Sequence, residues 1–333
     1  MTHSPRCSRR SRRHAVLLAL GAALCLPAVV SAQAWPSKPI NIVTAYPPGG
    51  VADQMARVLA TELSKRLGQP VTVENRTGAS GMIGANYVAK AAPDGHTLLM
   101  AAMAEIVFNP YMHERMAYRP DKDLVPVAMT VRYPFMLVAN PALPVRSVAD
   151  VVALAKKEPG QHTYATAGNG SVQHIAMEMF ARTAGIQLRH IPYKGVTPAL
   201  TDVLGNQVSM MFAGFPPAMT HVKAGKLTPI GLSTKSRLRV APDIPSVSET
   251  PALKDYDFPV WVGLFAPAGV PAEVLDRIHR ESVAIFAMPA VRAGVEEAGM
   301  TASDESRAAF AEFVKGESAK YGRIIKEAGI KDE

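Results

Sequence analysis

The chain has 333 residues, two cysteines and a formal net charge of +8. Five arginines and no acid fall in the first 34 residues, so the other 299 carry only +3, too mild an excess to imply nucleic acid. Cys7 and Cys25 lie in the same opening stretch, which leaves the remainder without disulfides, cysteine–metal sites or thiol nucleophiles.

Residues 1–34 read as an export signal. They have a basic head, an apolar run from Ala15 to Val30, and small residues at Ala32 and Ala34, with cleavage expected after Ala34. The run is short for a membrane span, and no second long one occurs. The twin arginines of "SRRHAV" (Ser11–Val16) are followed by alanine at the hydrophobic position, so the general secretory route is preferred. Ala22, Ala23 and Leu24 before Cys25 make a poor lipoprotein box.

The rest alternates strand and helix. "PINIVTAY" (Pro39–Tyr46) reads as a buried strand. A helix comes next, with Met55, Leu59, Leu63 and Leu67 four apart and a stop at Gly68. "PVTVENR" is a strand, "GMIGANYVAKA" a helix, and "HTLLMAA" a strand. "SVADVVALAKK" opens with Ser147 and Asp150, a capping-box-like start. Then come "TYAT" (strand), "SVQHIAMEMFARTAG" (helix), "QLRHIPY" (strand), "TPALTDVLG" (helix), "VSMMFAG" (strand), "PPAMTHVKAG" (helix) and "LTPIGLST" (strand). A proline-rich loop from Arg239 to Pro259 leads to "VWVGLFAPAG" and three closing helical stretches. This alternation argues an α/β fold with mostly parallel sheets.

"TAYPPGGVADQMARVL" and "YATAGNGSVQHIAMEMF" share a plan: short strand, glycine-rich turn, amphipathic helix. Each turn is either structural or an anion site built from exposed N–H groups and a helix dipole. The Gly49–Gly50 turn lacks the lysine of a P-loop and the spacing of a dinucleotide fingerprint. Asp53, in the first helical turn, reads as an ordinary dipole partner. In "AGNGS" Gly168 and Gly170 permit close backbone approach, and Ser171 reads as an N-cap or a ligand donor. His174 lies on the same helix face, but "GNGSV" is not a nucleophile elbow, so no catalytic residue is assigned. His96, His113, His162, His174, His190, His221 and His279 form no ligand motif, so no metal is expected. Met177, Met179, Met210 and Met211 read as core filling.

On these residues the chain resembles the extracytoplasmic solute receptors of the tripartite tricarboxylate transporter family, also called Bug receptors. "WPSKPINIVTAYPPGGVADQMAR", "VTVENRTGASGMIGANYVAKAAPDGHTLLM" and "HIPYKGVTPALTDVLGNQVSMMF" carry the resemblance. It implies a type II-like two-lobed periplasmic-binding-protein fold, each lobe a mixed, mostly parallel sheet flanked by helices. Two chain crossovers would divide residues 35–139 plus 256–333 from residues 140–255. It further implies a small organic acid, mono- or dicarboxylate and open to aromatic ones, held in the interlobe cleft. By position the first loop supplies Tyr46, Pro48, Gly49 and Gly50, with Asp53 behind. The second supplies Gly168, Asn169, Gly170 and Ser171, with His174 nearby. Tyr193 and Gly195 adjoin it, and Ala101–Glu105, Ala102 among them, line the other wall. The glycines would let main-chain donors reach the carboxylate.

Two positions depart from the family pattern. Ala213 and Gly214 of "MFAG" stand where many relatives carry an acidic and amide pair, which implies a less polar distal pocket. Glu105 falls where small or hydroxyl residues are common, and is expected to face solvent rather than the cleft. The resemblance implies a periplasmic monomer without cofactor, delivering its ligand to membrane permease subunits or presenting it to a sensor receptor. A secreted hydrolase is the competing class, and no nucleophile–base–acid set supports it.

Overall fold

A computed structural model describes residues 2–3 and 35–331. The export signal expected over 1–34 therefore falls outside the described residues, apart from positions 2 and 3. Lys38–Glu333 forms one compact unit, which holds every candidate site residue.

Strand β1 (Ile40–Thr44) leads through an exposed turn to helix α1 (Val51–Leu67). The four-residue spacing buries Met55, Leu59 and Leu63 as expected, and Gly68 ends the helix in the left-handed region with φ 65°. Strands β2 (Val71–Asn75) and β3 (Thr97–Ala101) flank β1 in parallel, with helix α2 (Met82–Ala89) between them in the chain. A π-helical turn, Ala104–Phe108, passes into the short helices α3 (Asn109–Met112) and α4 (Pro120–Asp123). Next comes β4 (Leu124–Ala139), a sixteen-residue strand.

Helix α5 (Val148–Lys157) carries the expected capping box: Asp150 N–H donates to Ser147 Oγ, and Ser147 N–H donates back to the Asp150 carboxylate. A second parallel set is built from β5 (Thr163–Thr166), α6 (Val172–Ala184), β6 (Arg189–Pro192), α7 (Val196–Leu204) and β7 (Met210–Gly214). Helix α8 (Phe215–Lys223), β8 (Thr228–Leu232) and β9 (Pro259–Pro267) come next. The chain closes with α9 (Ala272–Phe286), α10 (Pro289–Glu297), β10 (Thr301–Ala302) and α11 (Arg307–Ala328).

The sheet order is β2-β1-β3-β9-β4-β7-β5-β6, with β8 and β10 also on β4. Parallel pairing holds around β1 and around β5, where helices return the chain. The centre is antiparallel, because β4 and β9 run against their neighbours. β4 joins the two halves. Up to Pro134 it pairs with β9; from Phe135 it pairs with β7 and β8. Its register shifts after Pro126 and after Met129, as bulges permit in a proline-bearing strand. Ser233 ties the two chain passages together at this point. Its buried hydroxyl donates to Phe258 O (2.7 Å) and accepts from Phe135 N–H (2.9 Å).

The apolar core runs through both halves, from Val43 and Leu99 past Phe258 and Tyr256 to Phe180 and Phe212. A further cluster under α7 and α8 holds Met136, Val138, Ala199, Met211, Ala213 and Phe215.

Candidate functional site

Register places the candidate residues. Thr44 of β1 lies opposite Met100 of β3, so Tyr46 and Ala102 leave the same sheet edge. Thr166 of β5 lies opposite Pro192 of β6, so Gly168 and Tyr193 leave the corresponding edge of the other half. Both are carboxyl ends of parallel strands, where open α/β sheets bind ligands.

The first turn is braced by charge. Asp53 is 2% exposed, and its carboxylate collects four donors. Arg57 binds it in a fork, with both contacts at 2.9 Å. Asn75 Nδ2 donates to Oδ1 (2.9 Å), and Gly49 N–H donates to Oδ2 (3.0 Å). Asn75 also holds Tyr46 O. The Arg57 fork, helped by the Gly49 and Asn75 donors, outweighs burial and takes the Asp53 carboxyl down to about 2. Asp53 is thus the anchor of the turn, not a simple dipole partner. Gly49, at φ 91°, aims its N–H inward at Asp53, so that group is not the outward donor expected of it. The open donors belong to the helix start: Val51 and Ala52 head α1, and N–H groups there have no intrahelical partner. Pro48, Gly49 and Gly50 are exposed in front of them.

Glu105 reverses its expectation. It is 0% exposed, inside the π turn, with each oxygen on a donor. Tyr46 Oη donates to Oε2 at 2.6 Å, and Ala102 N–H donates to Oε1 at 2.9 Å. Tyr118 Oη holds the Glu105 main-chain oxygen at 2.6 Å. The "TGASG" loop closes over the carboxyl. Ala79 and Ser80 sit at φ 46° and 49°, and a Cβ on Gly81 would lie 3.1 Å from the Glu105 carboxyl carbon. Burial lifts the Glu105 carboxyl to about 7, against the pull of the Tyr46 and Ala102 hydrogen bonds. The residue faces inward because Tyr46, 59 positions away in the chain, meets it there.

The second turn is braced by neutral rings. His174 Nδ1 accepts the Gly170 N–H at 3.1 Å, and His174 N–H donates to the Ser171 N-cap. The His174 and His190 rings stack at 3.9 Å, and His190 Nε2 meets Thr166 Oγ1 at 2.7 Å. Burial lowers both imidazoles to about 4. Gly168 N–H turns back to Thr166 Oγ1, so neither loop glycine donor points outward. Tyr193 and Gly195 are brought alongside through bonds to Thr166 O and Ala167 O. The Tyr193 hydroxyl faces Asp202. Gly170, at φ 69°, lies so close to α3 that a Cβ would meet Met112 Sδ at 2.7 Å. Asn169 is exposed, and its amide holds Lys331 O beyond the end of α11.

Ala213 does not reach this edge; its methyl is buried in the cluster under α7 and α8. Gly214 is half-buried at the N-cap of α8. Sequence reasoning overlooked Arg57, Asn75, His190 and Ser233. The i,i+4 pairs Asp53–Arg57 and Gly170–His174 were the available signal. Among the described residues no cluster of histidine, cysteine and acid suits a metal, and no helix is long and apolar enough to cross a membrane.

This curled mixed sheet is the fold of solved periplasmic binding proteins. The family model described as "Tripartite tricarboxylate transporter family receptor" matches residues 55–330, and the chain belongs to that family. It is 32% identical to Protein BugT of Bordetella pertussis over 311 residues, 92% of this chain and 94% of the relative. An R. palustris protein solved with adipate superposes with TM-score 0.80 at 29% identity, covering 89% of this chain and 99% of that one. The periplasmic binding protein BugD gives TM-score 0.76 at 29% identity, with 90% and 100% covered. MatC from Rhodopseudomonas palustris, with bound malate, gives 0.75 at 28% identity, with 87% and 100% covered. These are substrate-binding receptors, not enzymes.

Proposed function

We propose that this chain captures a small organic carboxylate in the periplasm and delivers it to a membrane permease of the tripartite tricarboxylate type. The carrying observation is the start of α1: a turn locked by Asp53, following the strand end that carries Tyr46, with the Val51 and Ala52 N–H groups at the head of the helix. Hydrogen bonds to a charged group contribute about 1.5–3 kcal/mol each. A micromolar ligand requires about 8 kcal/mol net. A few such donors, together with two helix dipoles, suffice without a salt bridge.

Residues 35–139 plus 256–333 form one lobe in this reading, and residues 140–255 the other. The change of partners in β4 at Pro134–Phe135, pinned by Ser233, supports a hinge there. The adipate and malate held by relatives support a dicarboxylate. Residues 1–34 serve export by the general secretory route.

A thermal-shift panel of acetate, malate, adipate, citrate and benzoate tests this. At a hundredfold excess over Kd, a bound acid stabilises by about 2.7 kcal/mol, which raises Tm by roughly 5 °C. Small-angle scattering with that acid should show a smaller radius of gyration. No shift with any acid, or stabilisation only by neutral or cationic solutes, contradicts the carboxylate reading.

A further inference from the structure

Glu105 places a carboxyl group directly behind Tyr46, at the sheet edge where the proposed anion docks. Among the described residues no cation faces it. The ionisable side chains among the described residues that face it are Tyr46 from the turn after β1, Tyr118 from the segment before α4 and Tyr133 from β4. Burial raises all three hydroxyls, most strongly among the causes acting on each, so they stay neutral at ordinary pH. Asn109 lies nearby and is engaged with Ser80 O. The loop through Gly81 packs so closely on the carboxyl that a Cβ at Gly81 would lie 3.1 Å from it.

The hydrogen-bond geometry has two settings. With Glu105 ionised, the Tyr46 proton points inward to Oε2, and the phenol oxygen offers only lone pairs outward. That setting opposes a carboxylate. With Glu105 protonated, its hydroxyl donates to the Tyr46 oxygen, and the Tyr46 proton is free to turn outward. That setting favours a carboxylate. Ala102 N–H serves the second Glu105 oxygen in both.

We propose that Glu105 takes up one proton from solvent when a carboxylate binds, turning Tyr46 from a donor to Glu105 into a donor to the ligand. Glu105 is then the residue that couples capture to pH and selects anions. No covalent bond changes in the ligand; one proton moves from bulk water to a Glu105 oxygen. The ligand's own charge drives the uptake, because two carboxylates close together do not both stay ionised. A carboxyl already lifted to about 7 by burial stands ready for it. The inference rests on the proposed carboxylate function.

Two measurements test it. In the ligand-free protein, the side-chain carboxyl carbon of Glu105, assigned by its loss in Glu105→Gln, is followed by NMR against pH. It should titrate near neutrality; a transition below pH 5 overturns the proposal. Calorimetry is then run at pH 7.5 to 8 in buffers of different ionisation enthalpy, using the tightest binder among acetate, malate, adipate, citrate and benzoate. Wild type should take up close to one proton, with Kd rising up to about tenfold per pH unit above the Glu105 transition. Glu105→Gln, whose amide can donate to Tyr46 at any pH, should take up none and show a flat Kd. If that variant does not fold, Tyr46→Phe replaces it: binding should weaken at least tenfold, and the Glu105 transition should move up. Binding without proton uptake in wild type overturns the proposal alone. Failure of every acid to bind between pH 5.5 and 8 overturns it together with the carboxylate function.

Discussion

The two glycine turns are held in the same shape by opposite electrostatics. The first depends on an ionised group, Asp53, forked by Arg57 and tied to Gly49 N–H. The second depends on a neutral one, His174, stacked on His190 and tied to Gly170 N–H. In both, the residue four positions after the glycine absorbs its N–H. The glycines therefore fix the turns, and in the proposed function the donors for a ligand come from the helix starts behind them. The space around the two also differs: a Cβ at Gly49 would meet nothing within 4 Å, whereas one at Gly170 would strike Met112.

Crowding at Gly170 makes it the more sensitive of the two glycines. Gly170→Val combines left-handed backbone strain of about 1–2 kcal/mol with overpacking against Met112 of about 1–3 kcal/mol. Urea unfolding should show a loss of about 3.5 kcal/mol, the middle of that combined range, and thermal shift by the acid should vanish. A variant of wild-type stability would mean that the second turn is loose.

Acid separates the two braces next. His174 has a folded pKa lowered to about 4 from an ordinary value near 6.5. Its contribution is complete above pH 6.5 and is lost as pH falls toward 4, on the order of 3 kcal/mol in all. Asp53 is also lowered, to about 2, so its contribution persists above its unfolded value near 3.9 and is lost only between there and 2. Hydrogen exchange should show Gly170 N–H losing protection between pH 6.5 and 4, while Gly49 N–H keeps it. Simultaneous loss at both would erase the distinction.

The smallest effect belongs to Gly49→Ala. It meets open space, so only the positive φ penalises it, by about 1 kcal/mol. Denaturant titration should find it clearly milder than Gly170→Ala, which adds the Met112 contact. Equal costs would mean that packing does not distinguish the turns.

Local features were legible in the sequence. The Ser147–Asp150 capping box, the Gly68 stop and the span of β5 depend on nearest neighbours in the chain, and the structure matches them. β4 was not legible, because Pro126 and Pro134 interrupt a pattern that bulges and burial on both faces restore. Glu105 was misplaced for a different reason. A lone acid in a short helical turn is ordinarily solvated, and only the fold brings Tyr46 and Tyr118 to it. At Gly49 the sequence suggests an outward donor, but the direction of its N–H depends on Asp53 being held by Arg57 and Asn75. The family pattern suggests Ala213 at the pocket, whereas strand alternation turns it into the buried cluster under α7 and α8.

Main-chain donors at a helix start, not a side-chain cation, hold the carboxylate in the proposed function. Amide NMR of ¹⁵N-labelled protein during titration with the acid that stabilises it most tests this directly. The largest downfield proton shifts should fall at Val51 and Ala52, with Gly49 and Gly170 little changed because their partners stay in place. Unmoved signals at Val51 and Ala52, together with binding abolished by Lys194→Ala, which removes the cation between Tyr193 and Gly195, would contradict it.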